Sequence, residues 1–150
     1  MRLSRFSPCR LMPGLAVGLC LAAGQGVAQT SRCVDSGYSV AFAALTATGA
    51  TPSYDTWCQA AAVVVPTQHT VQLTVTGSPS TCTAHLEGTA KAAADNPQSA
   101  DFADLSGAID CTAVTTFHVT NKPIRTIRVN LTGLSGGTSP SVAASVMGTR

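Results

Sequence analysis

The chain has 150 residues, nine Lys and Arg against seven Asp and Glu, and only 11% charged residues. The first 28 residues hold Arg2, Arg5 and Arg10 and no acid, so the remainder carries six basic and seven acidic residues, a net charge of −1. That balance excludes holding a phosphate backbone by counterion release, so nucleic acid is not an expected partner, and about 120 residues make one ordinary domain.

Met1 to Arg10 is basic, Leu11 to Ala23 is almost wholly apolar, and Gly26 and Ala28 are small residues at the two positions a signal peptidase reads. Residues 1–28 are therefore expected to be a signal peptide, and residues 29–150 one exported domain, secreted or periplasmic. The apolar run is short of the roughly 20 residues that a spanning helix needs, so no membrane span is expected after cleavage. Leu19 precedes Cys20 where lipid attachment would want a small residue, which argues against a lipoprotein.

Cys9 and Cys20 leave with the signal, and Cys33, Cys58, Cys82 and Cys111 remain. An even number of cysteines in an exported chain makes two disulfides the default, with three pairings formally possible. The favoured pairing joins Cys33 to Cys58 and Cys82 to Cys111. Each bond closes a loop of about 25 to 30 residues, for which the chain-entropy account gives roughly 3 kcal/mol. No two cysteines have C-x-x-C spacing, so neither a metal nor any other cofactor is expected.

Gln29 to Gly37 reads as a lead-in. Tyr38, Val40 and Phe42 have the period of two of a strand, with a change of parity towards Leu45 that marks a bulge. Gly49 to Asp55 reads as a loop, and Ala60 to Val65 as a buried strand stopped by Pro66. Val71, Leu73 and Val75 alternate with Gln72, Thr74 and Thr76. After a turn from Gly77 to Ser80, Cys82, Ala84 and Leu86 alternate again, which is the pattern of a hairpin. Lys91 to Ala100 is the most polar segment, a loop with room for a helical turn before Asn96 and Pro97. Phe102, Leu105 and Ile109 lead to Cys111, and Thr115, Phe117 and Val119 form a further strand. Ile127, Val129 and Leu131, a turn from Gly133 to Pro140, and Val142, Ala144 and Val146 repeat the design of the first hairpin. About eight short strands with few helix signals imply an all-β fold, a single antiparallel β-sandwich. Jelly-roll and immunoglobulin-like strand orders both fit.

The phrases TVQLTVTG, TAHLEGT and FHVTNKPIRTIRVNLTGLSGGTSPSV give the chain a resemblance, over about Leu45 to Gly148, to small β-sandwich modules of phage virion and tail-associated proteins. More loosely it is similar to the galactose-binding (discoidin-type) jelly roll. The phage-like modules usually carry an acidic Ser-x-Asp-Gly loop after the Leu-Glu-Gly phrase, whereas here Leu86, Glu87 and Gly88 run into Thr89 and an alanine-rich loop. A signal peptide and paired cysteines depart from a virion protein and imply an exported bacterial relative.

The candidate ligand contacts are Tyr54, Trp57, Arg125 and Arg128. Flat aromatic faces at Tyr54 and Trp57 suit the apolar side of a sugar ring, although a lone tryptophan beside a cysteine also packs against a disulfide. Arg125 shares parity with Ile127, so it is expected to reach inward and to pair with Asp104 or Asp110; the alternative is a sugar or carboxylate contact by Arg125 and Arg128. His69, His85 and His118 lie in no hydrolase or metalloprotease phrase, and His85 and His118 have outward parity, so no catalytic residue is expected. Asp95, Asp101, Asp104 and Asp110 cluster near the polar loop without calcium-loop spacing and read as solvated carboxylates. Asn130, Leu131 and Thr132 fit a glycosylation triplet but lie within a strand.

These readings imply an exported, non-enzymatic β-sandwich used for surface binding or structural assembly, through a protein partner, self-assembly or a glycan. A carbohydrate-binding module is the first alternative. A small secreted hydrolase is the second, and it requires His85 or His118 to stand beside both a carboxylate and a hydroxyl.

Overall fold

The computed structural model describes residues 30–34, 37–57 and 65–150. The expected signal peptide, the pairing of Cys33 with Cys58 and nearly all of the strand expected at Ala60 to Val65 lie outside the described residues. No helix among the described residues is long and apolar enough to cross a membrane.

In chain order the strands are β1 (Thr30–Val34), β2 (Gly37–Leu45), β3 (Gly49–Ala50), β4 (Tyr54–Asp55), β5 (Gln68–Thr76) and β6 (Thr81–Thr89). They continue with β7 (Ala103–Asp104), β8 (Ile109–Asp110), β9 (Thr115–Val119), β10 (Thr126–Ser135) and β11 (Ser141–Thr149). All pairings are antiparallel. One sheet has the order β1-β2-β11-β5-β9; the other runs β3-β10-β6-β7, with β4 also on β10 and β8 also on β6. The expected all-β class is correct, but the strand inventory differs from the expected eight. The segment read as a lead-in contains β1, and the segment read as a loop, Gly49 to Asp55, makes two short bridges to β10.

The alternating residues face a shared core. Tyr38, Val40, Phe42, Val71, Leu73, Val142, Ala144 and Val146 enter it from the first sheet; Cys82, Ala84, Leu86, Ile127, Val129 and Leu131 enter from the second. The parity change in β2 is a bulge: Val142 lies opposite Leu45 but Ala144 opposite Phe42, so β2 carries one extra residue. Cys82 and Cys111 form a buried disulfide with Cα atoms 4.9 Å apart, as expected. It ties β6 to the loop that enters β9.

Neither expected hairpin forms. β5 and β6 lie in different sheets, and so do β10 and β11, because each turn carries the chain across the core instead of back along the same sheet. The two arches lie side by side, with β5 paired to β11 and β6 to β10. Their bends are hydrogen-bonded to each other: Thr138 N–H donates to the Gly77 carbonyl at 2.8 Å, and Ser80 N–H to the Ser135 carbonyl at 2.9 Å. Gly77, at φ +76°, sits where a Cβ would collide with the backbone of Ser139 and Pro140, so the crossing needs glycine for space as well as for its dihedral.

The polar segment expected to be a loop contains two 3-10 turns, Ala93–Asp95 and Ser99–Asp101, the first ended by Asn96 in the left-handed conformation. This segment leads through Phe102, whose ring lies against Arg128, into edge strand β7, paired with β6.

Candidate binding surfaces

The first cluster stands where β4 meets the start of β10. Pairing of Asp55 with Thr126 brings the Asp55 carboxylate beside Arg125, whose Nε lies 3.4 Å from Asp55 Oδ2. Arg125 therefore pairs with Asp55 and not with Asp104 or Asp110, the partners expected from sequence. A two-residue strand too short to show in the alternation decides this. The Arg125 guanidinium also lies 4.4 Å from the centre of the half-buried Trp57 ring, a cation–π distance. Asp55 Oδ1 accepts a hydrogen bond from Trp57 N–H at 2.9 Å, which holds the tryptophan in place. Tyr54 turns the other way, its ring 5.5 Å from that of Tyr38 and packed against the core. Tyr54 and Trp57 thus do not form one flat platform.

Arg128 belongs to a second cluster, on the outer face of the second sheet. Its Nε donates to Glu87 Oε2 at 2.7 Å, and Asn130 Nδ2 donates to Glu87 Oε1 at 2.7 Å. The Arg128 and Glu87 side chains retain only 12% and 14% of their exposure, because the guanidinium lies 4.0 Å from the centre of the Phe102 ring and near Ser99 Oγ. One row away, His85 Nδ1 lies 2.9 Å from Asp104 Oδ2. Partial burial of Asp104 works against ionisation, but hydrogen bonds from His85 and from Gly107 and Ser106 N–H hold its pKa below the ordinary value. Ser99 and Phe102 thereby lie against the outer face at Arg128, while Asp104, on edge strand β7 beside β6, holds His85.

The outer face of the first sheet is different in kind. Across the strands, His118, Thr70, Met147 and Ser39 stand in one row, and Thr116, Gln72, Ser145 and Ala41 in the next. Thr74 faces Ala143, and Thr76 faces Ser141, their hydroxyls 2.8 Å apart. The outward positions of β2, β11, β5 and β9 contain no Asp, Glu, Lys or Arg. Met147 is 53% exposed in the middle of this face, and Val114, just before edge strand β9, is 59% exposed. The residues of β9, TTFHV, include no Lys or Glu of the kind that guards an open sheet edge.

His85 has a carboxylate partner, whereas His118 has a hydroxyl partner, Thr70 Oγ1 at 2.9 Å; the two lie on different sheets. His69 is the histidine that sequence reasoning passed over, although it shares parity with Val71 and Leu73. It is 1% exposed, with Nδ1 2.9 Å from Tyr38 Oη and Nε2 2.9 Å from the Lys122 carbonyl. A carbonyl only accepts, so Nε2 carries the proton, and in the neutral ring Nδ1 accepts from the Tyr38 hydroxyl. Burial lowers the His69 pKa against the pull of the Lys122 carbonyl, and burial first, then the neighbouring Tyr54, raises that of Tyr38. Both stay neutral and lock the core.

The other three loop carboxylates, Asp95, Asp101 and Asp110, are engaged close to their own positions in the chain. Asp95 Oδ2 accepts from Ala92 N–H, Asp101 from Gln98 N–H and Lys91 Nζ, and Asp110 from Thr112 N–H. Among the described residues no group of three or more His, Cys, Asp or Glu is arranged to hold a metal ion. The chain matches no protein-family model and no curated protein.

Proposed function

We propose that this chain is an exported, non-enzymatic β-sandwich protein that works by surface contact, as a binding or structural component outside the cytoplasm. The observation that carries the proposal is the contrast between the two outer faces. The second sheet pairs Glu87 with Arg128 and Asn130 beside Phe102, while among the described residues the four strands β2, β11, β5 and β9 of the first sheet expose an uncharged field of Thr, Ser, Ala, Gln and Met. Such a field forms contacts without the large cost of stripping water from ions. The disulfide between Cys82 and Cys111 fits an oxidising compartment. The repeated crossing of the chain from sheet to sheet favours the jelly-roll member of the two sandwich orders.

The test combines localisation, binding and turnover. The full chain, expressed with its own N-terminal segment in a secretion-competent bacterium, is expected in the periplasm or medium with the Cys82 and Cys111 thiols blocked to alkylation. The purified oxidised protein should associate with itself, a protein surface or a glycan and should turn over no chromogenic ester, glycoside or peptide. Turnover that disappears in His85→Ala or His118→Ala would replace this reading with the hydrolase. Retention on a glycan array that is lost in Trp57→Ala would make it a carbohydrate-binding module working at the Trp57 and Arg125 cluster.

A further inference from the structure

The surface-contact reading leaves the partner open, and the uncharged field narrows it. We propose that the outer face of the first sheet is a homotypic interface, on which a second copy of this chain packs its own first sheet face to face about a two-fold axis. This inference rests on the surface-contact reading and adds the partner and the face.

Charge is the first argument. A two-fold contact sets each patch against itself, so any charged group near the axis meets its own like charge. The outward positions of β2, β11, β5 and β9 carry no charged residue, with His118 the only titratable side chain among them, on edge strand β9; Arg32, opposite Ser39 on the other edge strand β1, stands at the border of this field and away from the central strand β11. The outer face of the second sheet, with Glu87 paired to Arg128 and His85 to Asp104, offers no comparable surface.

Area is the second. β2, β5 and β11 are nine residues long. At about 3.3 Å per residue and about 4.8 Å between strands, these three and the five-residue β9 present a field of roughly 500 Å². Two such fields bury about 1,000 Å², the threshold of a specific interface, which implies a weak dimer that dissociates on dilution.

Side-chain chemistry is the third. Thr, Ser and Ala lose little rotamer freedom on docking and permit close approach of sheets, and Met147, half exposed between Thr70 and Ser39, is a flexible anchor able to fill the gap between them.

The experiment is sedimentation velocity and light scattering on the full-length, oxidised protein from about 1 μM to 1 mM, a range that brackets such an affinity. Ser145 lies on the central strand beside Gln72 and Ala41, so Ser145→Arg puts two like charges into the contact. The expected result is a monomer–dimer equilibrium whose dissociation constant rises at least about tenfold in Ser145→Arg, by the usual cost of juxtaposed like charge, and rises in Met147→Ala. Thr132→Lys, on the exposed far face, should leave it unchanged, and thermal melts of each variant verify folding. A dimer indifferent to Ser145→Arg overturns the proposal for this face but leaves the surface-contact function standing; if Thr116→Pro dissolves it, the copies pair through edge strand β9 instead. A strict monomer to the top of the range overturns the proposal and leaves the surface-contact function to a different protein surface or a glycan.

Discussion

Gly148 is the position where the smallest covalent change should have the largest consequence. It lies on β11 directly between Tyr38 on β2 and His69 on β5, and the Tyr38 hydroxyl reaches His69 over the strand that separates them. That reach requires a residue without a side chain in the middle of the row. A Cβ on Gly148 would overlap the Tyr38 ring, with Cδ1 and Cζ at 2.7 Å. The ring has no room to retreat, being fully buried and packed against Tyr54. Overpacking of a filled core costs about 1–3 kcal/mol. Breaking the bond and leaving a buried hydroxyl and imidazole unpaired costs about 1–3 kcal/mol more, offset by roughly 0.5–1 kcal/mol of backbone entropy recovered by replacing glycine. The expected net loss for Gly148→Ala is about 1–5 kcal/mol, read as a shift of the urea midpoint at constant slope and as a fall in Tm of roughly 5–20 °C for a domain of this size. Tyr38→Phe isolates the hydrogen bond and should cost about 1–2 kcal/mol. In a Tyr38→Leu background the added methyl has space, so Gly148→Ala should cost at least about 1 kcal/mol less than in the parent. Unchanged stability in Gly148→Ala, or an equal cost in both backgrounds, would refute this account of the row.

Other consequences follow from the same contacts. Because burial lowers the folded-state pKa of His69 below its ordinary 6.5, the folded chain resists a proton that the unfolded chain accepts. Its contribution is therefore complete above about pH 6.5 and lost as pH falls towards the folded value, and denaturant titrations should show that slope flattened in His69→Gln. The depressed carboxyls of Asp101, Asp104 and Asp110 act in the same direction but at lower pH, with losses beginning only as pH falls through their ordinary 3.8, so the two losses have separate onsets. Replacing Cys82 and Cys111 together by alanine opens a loop of sequence separation 29 and should cost roughly 3–4 kcal/mol by urea melt; an unchanged midpoint would show that the bond constrains nothing. Arg128→Ala strands the mostly buried Glu87 carboxylate and should cost about 3 kcal/mol while speeding amide exchange from Ser99 to Asp104; Arg128→Lys should rescue little, since an ammonium lacks the planar fork that pairs with Glu87 while stacking on Phe102.

The candidate site was legible to different depths in different places. Outward parity on Gln72, Thr74, Ser145 and Met147 follows from strand alternation, and so does the outward placement of His85 and His118. The partner of Arg125 was not legible, because it depends on a bridge of two residues, Tyr54 and Asp55, too short to carry a period. The burial of His69 was legible in principle from its phase with Val71 and Leu73. Its polarity concealed it, since only the Tyr38 hydroxyl and Lys122 carbonyl, 31 and 53 residues away, make an interior imidazole affordable.

By itself the sequence determined the local period: which residues of β2, β5, β6, β10 and β11 face the core, and the bulge near Leu45; the bond between Cys82 and Cys111 was favoured among three possible pairings and fixed only by the fold. Only the tertiary structure decided how those strands associate. A hairpin and an arch share the same alternation and the same Gly- and Pro-rich turn, because both need strands of period two and a reversal between them. They differ in whether the two apolar faces end on one side of one sheet or look at each other across a core. That choice is made by the long-range pairing of β5 with β11 and β6 with β10, where the oily faces of all four strands are buried together. Among the described residues, the same choice set Ser99 and Phe102 against the outer face of one sheet and left Met147, Ser145 and Gln72 exposed on the other.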